Sequence, residues 1–331
     1  VLFSLIVPVH NGGASFRLCL DSVAALAPAP FELIVVTNGT SDGSDVLARS
    51  FGAIVIALPS AVGPARARNI GAAAARGDGI VFIDADVTVP PDLIARIAAA
   101  FGADPGLAAL IGSYDDAPAD PGFFSQYKNL LHHYTHQTAN ADASTFWGAC
   151  GAIRRAVFSD VGGFDESFAR PSVEDIALGY RLKAAGHRIV LVRTIQVKHH
   201  KRYTALSMVR SDFFDRALPW TRLLLTYRQF SADLNLTHSA RASVALVYLL
   251  AGSLCAALLW RPVLLASLGC ALALLLLNRA VYAWLWHRRG GAFALRAVPW
   301  HWMYYLYSGA AFVIGSIEHR LGYTTQKGKP A

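Results

Sequence analysis

The chain has 331 residues, enough for two domains or for one domain with an appendage. It is 54% hydrophobic and 16% charged, with a mean hydropathy of +0.38. That is too apolar and too charge-poor for an ordinary soluble protein, in which roughly a quarter of residues are charged. The formal charge of +8 asks for an anionic surface or ligand. Four cysteines (Cys19, Cys150, Cys255, Cys270) are scattered without metal or redox spacing and read as reduced thiols.

In chain order, β-type runs alternate with helical patterns up to about Arg193. "LFSLIVPV" precedes an amphipathic stretch from Ser15 to Leu26, and "FELIVVT" precedes a helix starting near Ser44. "GAIVIAL" precedes the alanine-rich "GPARARNIGAAAARG", and "GIVFIDA" precedes "PDLIARIAAAFG". Such alternation, with nearly continuous apolar strands, predicts an α/β domain whose mostly parallel sheet is covered on both faces. Ligands of such sheets bind beyond the carboxyl ends of the strands. Asp84 and Asp86, in "IVFIDADV", stand at such an end. Two carboxylates so close repel each other unless a cation lies between them, and burying either is costly. An extended chain here would put both side chains on one side, with Ala85 turned away.

After about Ala240 the chain changes character. Residues 243–260 carry no charge, 262–286 carry only Arg279, and 300–317 start with a cluster of aromatics. Each approaches the ~20 apolar residues that span a bilayer, so about three transmembrane helices are expected, the third with an aromatic end suited also to the interface. The linker "HRRGGAFALRAVPWH" is basic, which places it in the cytosol and, two crossings back, the N-terminal domain with it. Residues 201–240 mix arginines with Trp220, Tyr227 and large aliphatics, as interfacial amphipathic helices do. The basic residues crowd beside these apolar runs, which points to anionic headgroups and not to nucleic acid.

Four segments in order carry a family resemblance: "SLIVPVHNGG", "ELIVVTNGTSDGS", "GPARARNIGAAAARGDGIVFIDADV" and "GACGAIRRAVFSDVGGFDESFARPSVEDIALGYRLKAAG". Together they resemble a family 2 glycosyltransferase of the GT-A fold, over residues 1–200. The resemblance implies a nucleotide-sugar donor, a UDP-sugar by preference, and Mg²⁺ or Mn²⁺ at a DxD motif. Divalent ions of this kind take oxygen ligands and stabilise the charge that grows on a diphosphate leaving group.

By that resemblance, Asp86 ligates the metal, Asp84 lies near the ribose or the metal, and His199 completes the site, with His200 as its neighbour. Pro8, Val9 and His10 would face the base, and Asn38, Arg68 and Asn69 would help to hold the nucleotide. Thr37 stands where the family pattern has an acidic residue, a departure that bears on uridine recognition. Asp42 fits a cap on the following helix. Asp175 would be the general base that a hydroxyl acceptor needs, with Glu174 placing the acceptor. On residue pattern alone Arg68 reads as a solvated helix residue, and Ser172 with Asp175 as a capping box. His132, His133 and His136 read as a helix surface near the acceptor cleft, and Trp147, Gly148 and Cys150 lie where relatives build its floor.

The expected protein is therefore a multi-pass inner-membrane, inverting glycosyltransferase with a cytosolic catalytic domain and a lipid or lipid-linked acceptor. Transfer to polyprenyl phosphate, which needs no base, and a degenerate membrane scaffold are the alternatives. A processive synthase is disfavoured, because no "QxxRW" segment occurs.

Overall fold

A computed structural model describes residues 1–230 and 232–322. The chain divides into two compact units, Val1–Arg202 and a helical unit from Tyr203 onward.

The first unit is built on one eight-stranded sheet. Its elements are β1 (Phe3–Val9), α1 (Gly13–Ala24), β2 (Glu32–Asn38), α2 (Ser44–Ser50), β3 (Ile54–Leu58), α3 (Pro64–Ala74), β4 (Gly79–Ile83) and β5 (Val87–Thr88). There follow α4 (Leu93–Ala103), β6 (Leu107–Tyr114), α5 (Phe123–Thr138), β7 (Cys150–Arg154), α6 (Arg155–Asp160), α7 (Glu174–Ala184) and β8 (Arg188–His199). The strand order is β3-β2-β1-β4-β7-β6-β8-β5. Strands β1 to β4 are parallel, as continuous apolar runs predict; β7 then runs antiparallel between β4 and β6. The chain leaves β1 for β2 on one side and returns to β4 on the other. This switch point opens a crevice at the carboxyl ends of β1 and β4.

Leu5, Ile6, Ile34, Val35, Ile80, Val81 and Phe82 are fully buried, so both faces of the central strands are covered. Helix α3 seats closely because Gly71 has no side chain: a Cβ there would stand 2.6 Å from Ile6 Cγ2. Pro64 opens that helix at its first position, where its missing N–H costs nothing. Its inward face carries Arg68, which is only 5% exposed. The expectation of a solvated helix residue is thereby corrected, and the reason lies in two carboxylates described below.

The histidines of α5 also differ from expectation. His133 and His136 are buried, their Nδ1 atoms 2.7 Å from Tyr114 O and 3.2 Å from Gly112 O on β6. They are tied to the sheet and do not form a helix surface.

The second unit starts with α8 (Ala205–Arg210), capped by Thr204 and Ser207, and continues through a π-helical turn (Ser211–Ala217) into α9 (Leu218–Tyr227). Four longer helices follow: α10 (His238–Ala257), α11 (Leu264–Leu277), α12 (Arg279–Arg289) and α13 (Gly291–Arg320). Among the described residues one helix, α10, is long and apolar enough to cross a membrane, with a mean hydropathy of 1.6. The expected span over 262–286 is broken: the helical run 261–277 and α12 meet at 64°, so the pair counts as a second span only if a bent one is allowed. Asn278 stands at the break. Its amide donates to Ser243 Oγ at 3.0 Å and to Leu274 O at 2.9 Å, and its oxygen accepts from Tyr305 Oη at 2.7 Å, so one side chain serves a carbonyl at the break and ties it to two neighbouring helices. The expected third span, 300–317, lies within the 30-residue α13. Its Trp, Tyr and His residues keep that helix out of the apolar class.

Large apolar side chains remain uncovered here. Leu258 is 87% exposed, Leu259 93%, Trp260 66% and Leu265 76%. An exposed patch of that character marks an interaction surface. Polar bonds link the helices: the buried Tyr307 Oη donates to Asp212 at 2.6 Å, and the half-buried Arg222 pairs with Glu318 at 2.7 Å.

Candidate active site

The site is assembled where β4 ends. Ile83 is the last strand residue, and Asp84 to Val87 close a turn in which Val87 N donates to Asp84 O at 3.3 Å. The chain is therefore not extended through Asp84-Ala85-Asp86, which corrects the expected alternation. The turn sends the two carboxylates to different partners. Asp84 Oδ1 lies 2.7 Å from Arg68 Nη2, and Asp86 Oδ2 lies 3.5 Å from His199 Nε2.

His199 is brought across the sheet edge by strand pairing. Val87 of β5 faces His199 of β8, and His200 N donates to Asp86 O at 2.8 Å. The imidazole of His199 is stacked on Tyr114, ring centres 4.4 Å apart and planes 12° from parallel. Tyr114 in turn meets Trp147 edge-on at 4.8 Å and packs against His132 at 4.8 Å. Burial works to raise the carboxyl of Asp86, but the imidazole of His199 and the charges of His199 and Lys201 outweigh it and hold the group below the usual carboxylate range. Asp86 is thus ionised at neutral pH.

Arg68 organises the other half of the site. Its Nη1 reaches Glu174 Oε1 at 2.8 Å while Nη2 holds Asp84, and the guanidinium lies over the Phe164 ring at 5.3 Å. Burial opposes its charge, yet Asp84 and Glu174 raise its pKa above the ordinary arginine value. Gly148 leaves room for it: a Cβ there would stand 3.1 Å from Arg68 Cζ. Glu174, itself buried, also accepts from Ser172 N at 2.9 Å. Both of its oxygens are thus engaged within the protein, which makes it a counter-ion of Arg68.

Asp175, next along α7, accepts from Ile176 N at 2.8 Å and from Gly148 N at 3.1 Å. Val173 occupies the cap position of α7 without a side-chain cap. Asp175 therefore ties the helix start to the turn at Gly148 that leads into β7, and it is only partly buried. Its negative charge contributes to holding Arg68 protonated, which places it within electrostatic reach of the same cluster.

The loops after β1 and β2 form the opposite wall. Pro8 and Val9 end β1, with Val9 buried and His10 exposed. His10 Nδ1 lies 2.7 Å from Asn38 O, and Asn38 Oδ1 accepts from Val62 N at 2.7 Å. The side-chain oxygen of Asn38 thus holds the β3–α3 loop. Asn11, with φ of 50°, accepts from Ser41 N at 2.8 Å and from Thr40 Oγ1 at 3.1 Å. Asp42 binds Thr40, Ser44 and Gly13 N, so it caps α2 and also latches the two loops together. Asn69 turns away from the carboxylates. Its amide clamps Phe164 N and O, both at 2.8 Å, and Glu166 at 3.0 Å, so it orders the loop that floors Arg68.

Tyr114, Phe164 and Asn11 are site-shaping residues that motif reasoning passed over. The only sequence signal for Tyr114 is its place at the end of an apolar strand before "DD".

Residues 4–162 match the model of the glycosyl transferase family 2. The chain is 26% identical over 246 residues to the pre-mycofactocin glycosyltransferase of Mycobacterium tuberculosis, covering 71% of this chain and 48% of that protein. It is 27% identical over 260 residues to the validoxylamine A glucosyltransferase of Streptomyces hygroscopicus subsp. limoneus, covering 66% and 57%. The chain thus spans about half the length of the curated relatives it matches. Among solved structures, the mannosyltransferase PcManGT from Pyrobaculum calidifontis, in complex with GDP-Man and Mn²⁺, superposes with a TM-score of 0.56 at 17% identity. That match covers 97% of this chain and 87% of the other. The S. aureus TarS fragment bound to UDP-GlcNAc gives 0.53 at 19% identity, covering 100% and 98%. These likenesses establish the fold of the first unit as GT-A.

Proposed function

From the match of residues 4–162 to the glycosyl transferase family 2 model, we propose that this protein is a membrane-anchored, metal-dependent, inverting glycosyltransferase. It takes a sugar from a nucleotide-sugar and passes it to a hydroxyl acceptor, a lipid or lipid-linked glycan at the bilayer surface. The observation that carries the reading is the pairing of Asp86 with His199 beside the Arg68–Asp84–Glu174 cluster at the sheet's switch point.

The donor set can be tested against the ion. No group of three His, Cys, Asp or Glu residues stands ready to hold a metal among the described residues. One carboxylate and one imidazole do face each other, at 3.5 Å. Mn²⁺ and Mg²⁺ are often bound by one or two protein ligands with substrate phosphates and water completing the shell, so the residues fit an ion that arrives with the diphosphate. Asp86 and His199 would hold it, and it would supply stabilisation of the leaving diphosphate. The structures of PcManGT and of GalNAc-T7 contain Mn²⁺, which supports this choice of ion.

The protein's own groups then have separable tasks. Arg68 neutralises Asp84 and keeps it beside the nucleotide pocket. The latched loops after β1 and β2, with Pro8, Val9, His10 and Asn38, form the base side. Asp175, partly open and next to Gly148, takes the proton of the acceptor hydroxyl. A single displacement by that hydroxyl inverts the anomeric centre. The helical unit holds the catalytic unit at the cytosolic face of the membrane, where a lipid-linked acceptor presents its head.

The test is donor turnover by the full chain with a panel of UDP- and GDP-sugars and lipid-linked acceptors in the presence of Mn²⁺. Asp86→Asn should abolish most transfer and weaken Mn²⁺ binding, read by calorimetry in the presence of the nucleotide diphosphate. Near-normal turnover of that variant in metal-free buffer would remove the metal from the reading.

A further inference from the structure

The helical unit contains a groove that the catalytic reading does not use. It lies among α11, α12 and the start of α13 and encloses about 390 Å³. Leu275, Tyr282, Trp286, His287, Leu295 and Val298 line it. That size falls within the ~300–1,000 Å³ of small-ligand sites, and such sites are mostly apolar with a few polar groups that fix orientation. One wall is fixed by close packing: a Cβ at Gly291 would stand 2.8 Å from the Trp286 ring, so the indole rests on the bare backbone of the next helix.

Charge says what enters. The last turn of α12 carries His287, Arg288 and Arg289, and Arg296 follows on α13. From Leu234 to Ile317 the chain has six arginines and no Asp or Glu. An apolar groove lined at one place by His287, with Arg288 and Arg289 next in the chain and no acidic residue in the stretch, complements an amphiphile with an anionic head. Indole and phenol groups at the groove suit the boundary between headgroups and hydrocarbon.

We propose that this groove binds one anionic membrane phospholipid, its acyl chain between α12 and α13 and its phosphate at His287, Arg288 and Arg289. The site holds a lipid of the bilayer itself and orients the helical unit in the leaflet. It rests on the membrane reading of this unit and goes beyond it, because a chain can enter a bilayer without retaining any single lipid.

The experiment uses the full chain in vesicles of phosphatidylcholine with or without phosphatidylglycerol. Flotation with the vesicles tests the membrane reading alone. Gentle detergent extraction followed by native mass spectrometry then counts retained lipid. The expected result is one phosphatidylglycerol per chain, kept in preference to phosphatidylcholine. Ala283→Trp, at an exposed position on the groove, should fill it and reduce retention of both lipids by about tenfold or more, as for a deleted chain contact of several methylenes. Arg288→Gln with Arg289→Gln should lower phosphatidylglycerol retention by about tenfold while leaving phosphatidylcholine unchanged. Failure to float would overturn the membrane reading. Flotation with no retained phosphatidylglycerol, or wild-type retention by Ala283→Trp, would overturn the groove and leave the membrane reading standing.

Discussion

A guanidinium can serve two carboxylates at once, and Arg68 does so with Asp84 and Glu174 at 2.7 and 2.8 Å. Lysine has no such fork. Removing one partner of a buried ion pair leaves an uncompensated charge, at a cost of about 3–5 kcal/mol. Arg68→Met should therefore lower unfolding stability by that order in urea titration. Adding Glu174→Gln should restore part of it, because the orphaned charge goes too; a double variant no more stable than the single one would count against Glu174 as the counter-ion. Asp175 faces a different test. Its two oxygens accept from Ile176 N and Gly148 N. Asn can keep one of these bonds, so Asp175→Asn should cost only about 1 kcal/mol in stability. As the general base it should cost about 10²–10⁴-fold in transfer at unchanged donor affinity. Transfer at the wild-type rate would instead favour an acceptor that is already ionised, such as a polyprenyl phosphate.

At the scale of elements, the latch between the first two loops predicts a pH effect. Hydrogen bonds from the Ser44 and Thr40 hydroxyls hold the Asp42 carboxyl well below its usual value of 3.8. A carboxyl depressed in the folded state contributes stability above its unfolded pKa and loses it as pH falls through the folded one. The melting temperature of Asp42→Ala should thus lie below wild type near pH 7, and the gap should narrow progressively as pH falls below the ordinary carboxylate range. A gap independent of pH would mean that Asp42 acts by shape alone. The strands β1 to β4 were legible because each is a continuous apolar run bounded by polar or glycine-rich turns. Strand β5 was not, because two residues carry no pattern. The turn at Asp84–Val87 was missed for the same reason: a strand ending one residue earlier reverses which way Asp86 points. Arg68 looked solvated because its partners lie 16 and 106 residues away, and no local periodicity records them.

For the molecule as a whole, hydropathy marked the helical unit correctly as apolar but overstated its regularity. A window average cannot see the 64° bend at Asn278. Whether that bent pair crosses the bilayer decides the topology. A cysteine at Ala292, chosen because Gly290 with φ of 84° tolerates a side chain poorly, reports on the basic linker. A second at Asp21 reports on the catalytic unit, both in a chain whose Cys255 and Cys270 are serine. Impermeant maleimide should reach both from the cytosolic face only. Labelling from opposite faces would make α11 and α12 a re-entrant hairpin that returns to its side of entry.

The pairing of Val87 with His199 has a consequence for synthesis. Asp86 and its imidazole partner are more than a hundred residues apart, and β8 must insert between β6 and β5 to join them. The stretch that matches the family ends at residue 162, before Glu174, Asp175 and His199 have been made. At about 5–20 residues per second, a nascent chain spends several seconds with β1 to β4 complete and Asp86 and His199 unjoined. During that interval it has the loops after β1 and β2 but only half of the residue cluster they face. The cluster is completed late, when the edge of the sheet is finished, immediately before the apolar helices leave the ribosome.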